Sequence, residues 1–178
     1  PSTRRIGRQA GIAACDAASR EEPAMGSVGV GTGCTVGKQA GRKYAEKGGQ
    51  GSAILLAGEL SVGAIIAVNA LGSVLREDGE VLAGCRAPDD LVRFPFTDMG
   101  TIGGEVLSNT VIGCIATTAR LSKPQACRVA DLAHSGIARS VSPAHTTYDG
   151  DALFALAAGE VEASVDLVAH LAADVVAR

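Results

Sequence analysis

The 178-residue chain has no tryptophan, and its three phenylalanines and two tyrosines bring aromatic content to only 3%. The stacking platforms on which single-stranded nucleic acids are held are therefore missing. There is no basic excess either: 16 Lys and Arg face 19 Asp and Glu, a formal net charge of -3, so no positive field invites a phosphate backbone. Nucleic acid is excluded as a partner. No long apolar run is present, because the most hydrophobic stretch, residues 54–74, is interrupted by Glu59, Asn69 and several glycines, which makes a poor membrane span. The five cysteines (Cys15, Cys34, Cys85, Cys114, Cys127) are odd in number and never form C-x-x-C. Their small, apolar contexts suit buried free thiols in a reducing, cytoplasmic setting. The three histidines and the carboxylates lack ligand spacing, so neither a metal nor an organic cofactor is expected. No signal-peptide pattern is visible, and the chain opens at Pro1 almost directly into a helical pattern, which reads as a fragment or a processed product.

What is abundant is small and apolar. Hydrophobic residues make up 47% of the chain and charged ones 20%, the balance of a packed core in one domain over residues 1–178. The 23 glycines follow no three-residue period and cluster between apolar segments, where turns belong. Helical spacing of Ile6, Ala10, Ala13, Ala14 and Ala17 predicts a helix over residues 6–18. Residues 27–37 read as a strand entering a loop, and residues 52–57, 62–73 and 80–84, with a turn at Asp78-Gly79, as adjacent strands of one sheet. Prolines, aspartates and glycines over residues 87–108 read as an exposed connector. Beyond it, residues 110–118 are apolar on both faces, which predicts a central strand. Ser122 and Gln125 form a capping-box pattern before the stripe Ala126, Val129, Ala130, Ala133 and Ile137. Pro143 closes the following connection, residues 152–157 read as a strand, and Val161, Val165, Val168, Leu171, Ala172 and Val175 as a terminal helix.

Three segments bear on chemistry. The run from Gly29 to Lys38, GVGTGCTVGK, suggests a phosphate loop, but the first required glycine falls on Thr32 and the residue after Lys38 is Gln39, where Ser or Thr is needed. The dinucleotide fingerprint fails at Cys34 and Val36, so these glycines are read as letting a backbone or substrate come close. At Ser108-Asn109-Thr110 a glycine-rich segment runs into a strand whose first residue carries a hydroxyl. Cutting there would give Thr110 an α-amino group of pKa about 7.7 to 8.0, able to accept the hydroxyl proton, so that one residue supplies nucleophile and base. The bland reading is an ordinary strand start. In His145-Thr146-Thr147-Tyr148-Asp149-Gly150-Asp151, two carboxylates flank a glycine; they could orient an ammonium group, or simply form a solvated turn. His145 could serve as a base or be merely polar. A Cys114 or Cys127 nucleophile paired with His134 or His145 is disfavoured by the apolar elements around both thiols.

Together, GSVGVGTGCTVGK, IIAVNALGSV, NTVIGCIATTA and HTTYDGDALFALAAGE, in that order along nearly the whole chain, resemble the L-aminopeptidase/D-esterase (DmpA-type) family, which includes β-peptidyl aminopeptidases and nylon-oligomer hydrolases. The resemblance implies a layered αββα-type α/β sandwich, mainly antiparallel sheets with helices outside. It implies self-cleavage at Asn109-Thr110, dividing the chain into residues 1–109 of a larger fragment and a small fragment 110–178. It makes Thr110 the nucleophile, Asn69 the oxyanion donor, Lys38 the lysine near the nucleophile, and Asp149 with Asp151 the pair that holds the nucleophile and its amine. Substrates would be small peptides, amides or esters. Homo-oligomerisation and association with the family's N-terminal region, which these residues do not supply, are further expectations. An acyltransferase such as the ornithine acetyltransferase family, or a binding protein that kept the fold, are the alternatives.

Overall fold

The computed structural model describes residues 7–88 and 109–178, so the expected connector over 87–108 lies almost entirely outside the described residues. Strands β3 (Gly49–Ala57) and β4 (Leu60–Asn69) form an antiparallel hairpin, which turns at Gly58 with φ 63°. Strand β7 (Thr110–Ala119) pairs antiparallel with β4, and β9 (Ala152–Val161) pairs parallel with β7, giving the sheet order β3-β4-β7-β9. A parallel pair needs a long crossover, and helix α2 (Lys123–Ser140) supplies it. Its first turn is tied as the sequence predicts: the Ser122 N–H donates to the Gln125 side-chain oxygen at 2.8 Å. Helix α3 (Val165–Ala177) packs against α2, and the two together cover one face of the sheet.

Period-two alternation decides what that face contains. Leu60, Val62, Ala64 and Ile66 of β4, with Val111 and Ile115 of β7, are buried beneath Val129, Ala133 and Ile137 of α2 and Val168, Ala172 and Val175 of α3. The alternate residues Ile54, Leu56, Ile65, Ile112, Phe154 and Leu156 point the other way and are exposed. The architecture is the mixed, layered α/β type expected, with a helical layer and the sheet beneath it among the described residues. No described helix is long and apolar enough to cross a membrane.

Several expectations are corrected. Residues 27–37 are not a strand but a 3-10 turn over Gly29–Gly33 followed by the two-residue β1 (Thr35–Val36), which pairs with β2 (Glu46–Lys47). The turn lies so close over β3 that a Cβ on Gly31 would come 2.4 Å from the Gln50 nitrogen, which accounts for that glycine. Residues 62–73 are not continuous: β4 stops at Asn69, and the carbonyls of Leu71 and Gly72 accept from the N–H groups of Lys38 and Gly37 at 2.8 Å each. The chain then enters a separate three-stranded sheet, β6-β5-β8, built from β5 (Ser73–Leu75), β6 (Val81–Ala83) and β8 (Val141–Ser142). The segments read as one sheet therefore belong to two. Val161 ends β9 instead of opening the last helix, because Ser164 caps α3 by accepting from the Leu167 N–H. Helix α1 (Arg8–Asp16) is shorter than predicted and buries no residue, so its alanine stripe packs on no described core. Of the cysteines only Cys34 is buried, while Cys15 and Cys127 are exposed; Cys127 lies beside the Val129-Ala133-Ile137 stripe rather than on it.

Candidate active site

The start of β7 is where the predicted residues converge. Thr110 is the direct cross-strand partner of Asn69, so both side chains stand on the same face with Cβ atoms about 4.5–5.5 Å apart. It is the open face, the one carrying Ile65, Ile112 and Phe154. Among the described residues the Thr110 hydroxyl makes one hydrogen bond, donated to the Asn109 carbonyl oxygen at 2.5 Å. That carbonyl also accepts the Gly150 N–H at 2.8 Å. Gly150 has little room for a side chain, since a Cβ there would come 3.2 Å from the Thr110 hydroxyl.

Asn69 is held at its oxygen end. Its Oδ1 accepts from the Thr35 N–H at 3.0 Å and from Lys38 Nζ at 3.0 Å, which assigns the oxygen and nitrogen ends of the side-chain amide. Lys38 Nζ also donates to the Asn69 main-chain carbonyl at 2.9 Å. Lys38 is 1% exposed. Its hydrogen-bond partners are neutral oxygens, and burial away from water, reinforced by the nearby Arg42 charge, pulls its pKa down from the usual lysine range to about 8, while Asp149 pulls weakly the other way. A lysine so placed is partly unprotonated near neutral pH and can accept a proton.

The two aspartates reach the junction through backbone amides. Asp149 Oδ1 accepts from the Leu71 N–H at 3.2 Å, and its Oδ2 accepts from the Thr146 N–H and hydroxyl at 3.0 and 2.6 Å. Asp151 Oδ1 accepts from the Val111 N–H at 2.7 Å, and its Oδ2 lies 2.7 Å from His145 Nδ1. Neither carboxylate hydrogen-bonds the Thr110 hydroxyl. Both instead pin the His145–Asp151 loop to the strand end and to the turn after Asn69.

Cys114 stands on the face of the sheet away from α2 and its His134. Cys114 shares the open face with Ile112, and burial pushes its thiol pKa up. His134 lies on α2 across the sheet, and His145 is engaged by Asp151. Burial also lowers the His134 pKa, with His145 adding to the effect. Two contributors were not legible in residue types: the Gly150 N–H on the Asn109 carbonyl and the Thr35 N–H on Asn69. Both are backbone donors, and only the Asp-Gly-Asp spacing hinted at the first.

The model of "Peptidase family S58" matches residues 2–177. An uncharacterized aminopeptidase of Mycobacterium leprae (strain TN) is 42% identical over 170 residues, covering 91% of this chain and 46% of the relative. The 6-aminohexanoate-oligomer endohydrolase of Kocuria sp. (strain KY2) is 30% identical, covering 85% of this chain and 44% of that protein. The chain thus spans about half the length of the curated relatives it matches. Among solved structures, a Burkholderia sp. β-aminopeptidase superposes with a TM-score of 0.62 at 25% identity, over 95% of this chain and 48% of its own. The L-aminopeptidase D-Ala-esterase/amidase of Ochrobactrum anthropi, described as a variant of the Ntn hydrolase fold, gives 0.54 at 22% identity, over 85% of this chain and 42% of its own.

Proposed function

The chain belongs to peptidase family S58, and from that premise we propose that it is part of a self-processing N-terminal-nucleophile hydrolase of small peptides, amides or esters, with Thr110 as its nucleophile. The observation that carries this reading is the Asn109-Thr110 peptide. Its carbonyl oxygen receives both the Thr110 hydroxyl and the Gly150 N–H, at the start of the central strand β7 and opposite Asn69.

In the first stage the Thr110 oxygen attacks the Asn109 carbonyl carbon as its proton leaves to a base, for which the weakened basicity of Lys38 suits it. The C–N bond breaks and the Thr110 nitrogen takes a proton, leaving an ester that water hydrolyses to free the Asn109 carboxylate. Residues 110–178 then form the small fragment and residues 1–109 belong to the larger one. In turnover the Thr110 hydroxyl gives its proton to its own new α-amine and attacks a substrate carbonyl. The Asn69 amide nitrogen donates to the developing oxyanion, the leaving amine or alcohol takes the proton, and water releases the acyl group. Asp149 and Asp151 hold the loop and strand amides that keep this end of β7 in place.

The names of the relatives suggest substrates with a free amine and a short acyl chain, and an aminohexanoate oligomer is one form of that class. The open face of the sheet, apolar and adjacent to Thr110, is proposed to be covered by a further segment of the family fold, and assembly into a homo-oligomer is proposed with it. The test is turnover of amino-acid amides, amino-acid esters, β-peptides and 6-aminohexanoate oligomers by the full-length protein. Release of free amino acid that disappears in Thr110→Ala supports the reading. Acyl transfer to a second amine in preference to water would point to the acyltransferase alternative, and no turnover of any of them by a processed protein would reject the hydrolase.

A further inference from the structure

His145 is the one non-glycine described residue in the left-handed backbone region, with φ 55°. For a side chain this is an unfavourable conformation, and it is kept where surrounding contacts demand it. The contacts are on the ring. Nδ1 lies 2.7 Å from Asp151 Oδ2, and Nε2 lies 3.2 Å from the main-chain carbonyl of His134. The Asp151 carboxylate oxygen is an acceptor, so Nδ1 is the donor of that contact. The far side of Asp151 is equally committed, its Oδ1 accepting from the Val111 N–H at 2.7 Å. The Asp151 side chain is 5% exposed and that of His145 34%. A carboxylate so enclosed needs each oxygen supplied with donors, and His145 is the side chain that supplies the second.

The chain of contacts runs from the α2 backbone through His145 and Asp151 to the first peptide after Thr110. We infer that His145 is a positioning residue, which holds the Asp151 carboxylate on the Val111 amide and thereby fixes the strand end that presents Thr110. It does not touch the reacting atoms. The inference rests on the reading of Thr110 as nucleophile, and it assigns the left-handed backbone of His145 a purpose: aiming the ring at both acceptors.

The test uses the full-length protein and His145→Gly. Glycine tolerates a φ of 55° without strain, so this variant removes the ring while relieving the backbone, and the fold is retained. The 34% exposure of the side chain leaves a path by which free imidazole can enter. The expected result is a fall in kcat of about ten- to a hundredfold, the size of a lost hydrogen bond to a charged group. KM should stay nearly constant, with partial recovery on adding imidazole and in His145→Gln, whose amide can donate to Asp151. Wild-type kcat in His145→Gly overturns the inference. So does a loss that neither imidazole nor His145→Gln restores, or a loss confined to KM. Thr110→Ala run alongside keeps the two readings apart. If Thr110→Ala still processes and turns over, the nucleophile assignment fails; if it is inactive while His145→Gly equals wild type, only the positioning role fails.

Discussion

On one face of the four-stranded sheet Val62, Ile66, Val111 and Ile115 lie under α2 and α3 and are shut off from water, whereas on the other Ile54, Leu56, Phe154 and Leu156 each remain more than half exposed. The buried set lies on the central strands β4 and β7 and the exposed set on the outer strands β3 and β9 of the same sheet, and the two have the same chemistry. Apolar character therefore does not mark the core by itself; a covering layer does. The open face is also the one that carries Asn69 and Thr110 side by side. One side of the sheet gives mechanical stability, and the other holds reactive groups on that support next to an apolar surface that can exclude water once covered.

If labour is divided in this way, changes at the end of the open face should remove chemistry and spare the fold. Thr110→Ala in the full-length protein is expected to leave a single uncut chain and to lower turnover on the order of ten-thousandfold or more, while Thr110→Ser, which keeps a hydroxyl beside an amine, retains processing. Asn69→Ala should slow turnover about a hundredfold or more, the loss of one oxyanion donor at about 2.7 to 4 kcal/mol. Near-normal rates would remove Asn69 from the mechanism.

The reverse pattern belongs to the helical side. In the 178-residue chain, Ile115→Ala should cost about 2–5 kcal/mol in urea unfolding, because it opens a cavity under both helices. In the same chain Leu156→Ala should change stability by no more than about 0.5 kcal/mol, as a surface substitution does. Equal costs for the two would erase the distinction between the faces.

A further expected effect is in pH. The folded pKa of Lys38 lies at about 8, below its ordinary 10.5, so between those values the unfolded chain binds the extra proton. Stability then rises with pH across that window, and the contribution is lost as pH falls through about 8. Processing helped by the neutral amine should likewise speed up as pH rises through about 8 and then level off. Lys38→Met should flatten both trends.

Much of this was legible in the residues, for identifiable reasons. The central strand β7, the tied start of α2 and the α2 stripe follow from local periodicity and capping, which sequence carries directly. The sheet register does the rest for Asn69 and Thr110: the motif resemblance named them, and the antiparallel pairing makes them neighbours. What could not be read depends on distant backbone. Glycines over Gly29–Gly33 suit strand, turn or loop alike until β3 is seen lying against them. The break after Asn69 exists because Leu71 and Gly72 give their carbonyls to Lys38 and Gly37, more than thirty positions away. The resemblance implies that Asp149 and Asp151 hold the nucleophile; one oxygen of each accepts a backbone N–H beside it, of Leu71 and Val111, and the other reaches Thr146 or His145, partners that no local pattern names. From sequence His145 reads as either a base or merely polar, because no local pattern shows that its ring reaches Asp151 and the His134 carbonyl together.

The most direct test of the central claim is the intact mass of the purified full-length protein under denaturing conditions. The account predicts two fragments meeting at Asn109 and Thr110, the smaller beginning with threonine, and one undivided chain for Thr110→Ala. A wild-type chain that stays undivided on ageing and still hydrolyses amides would contradict it.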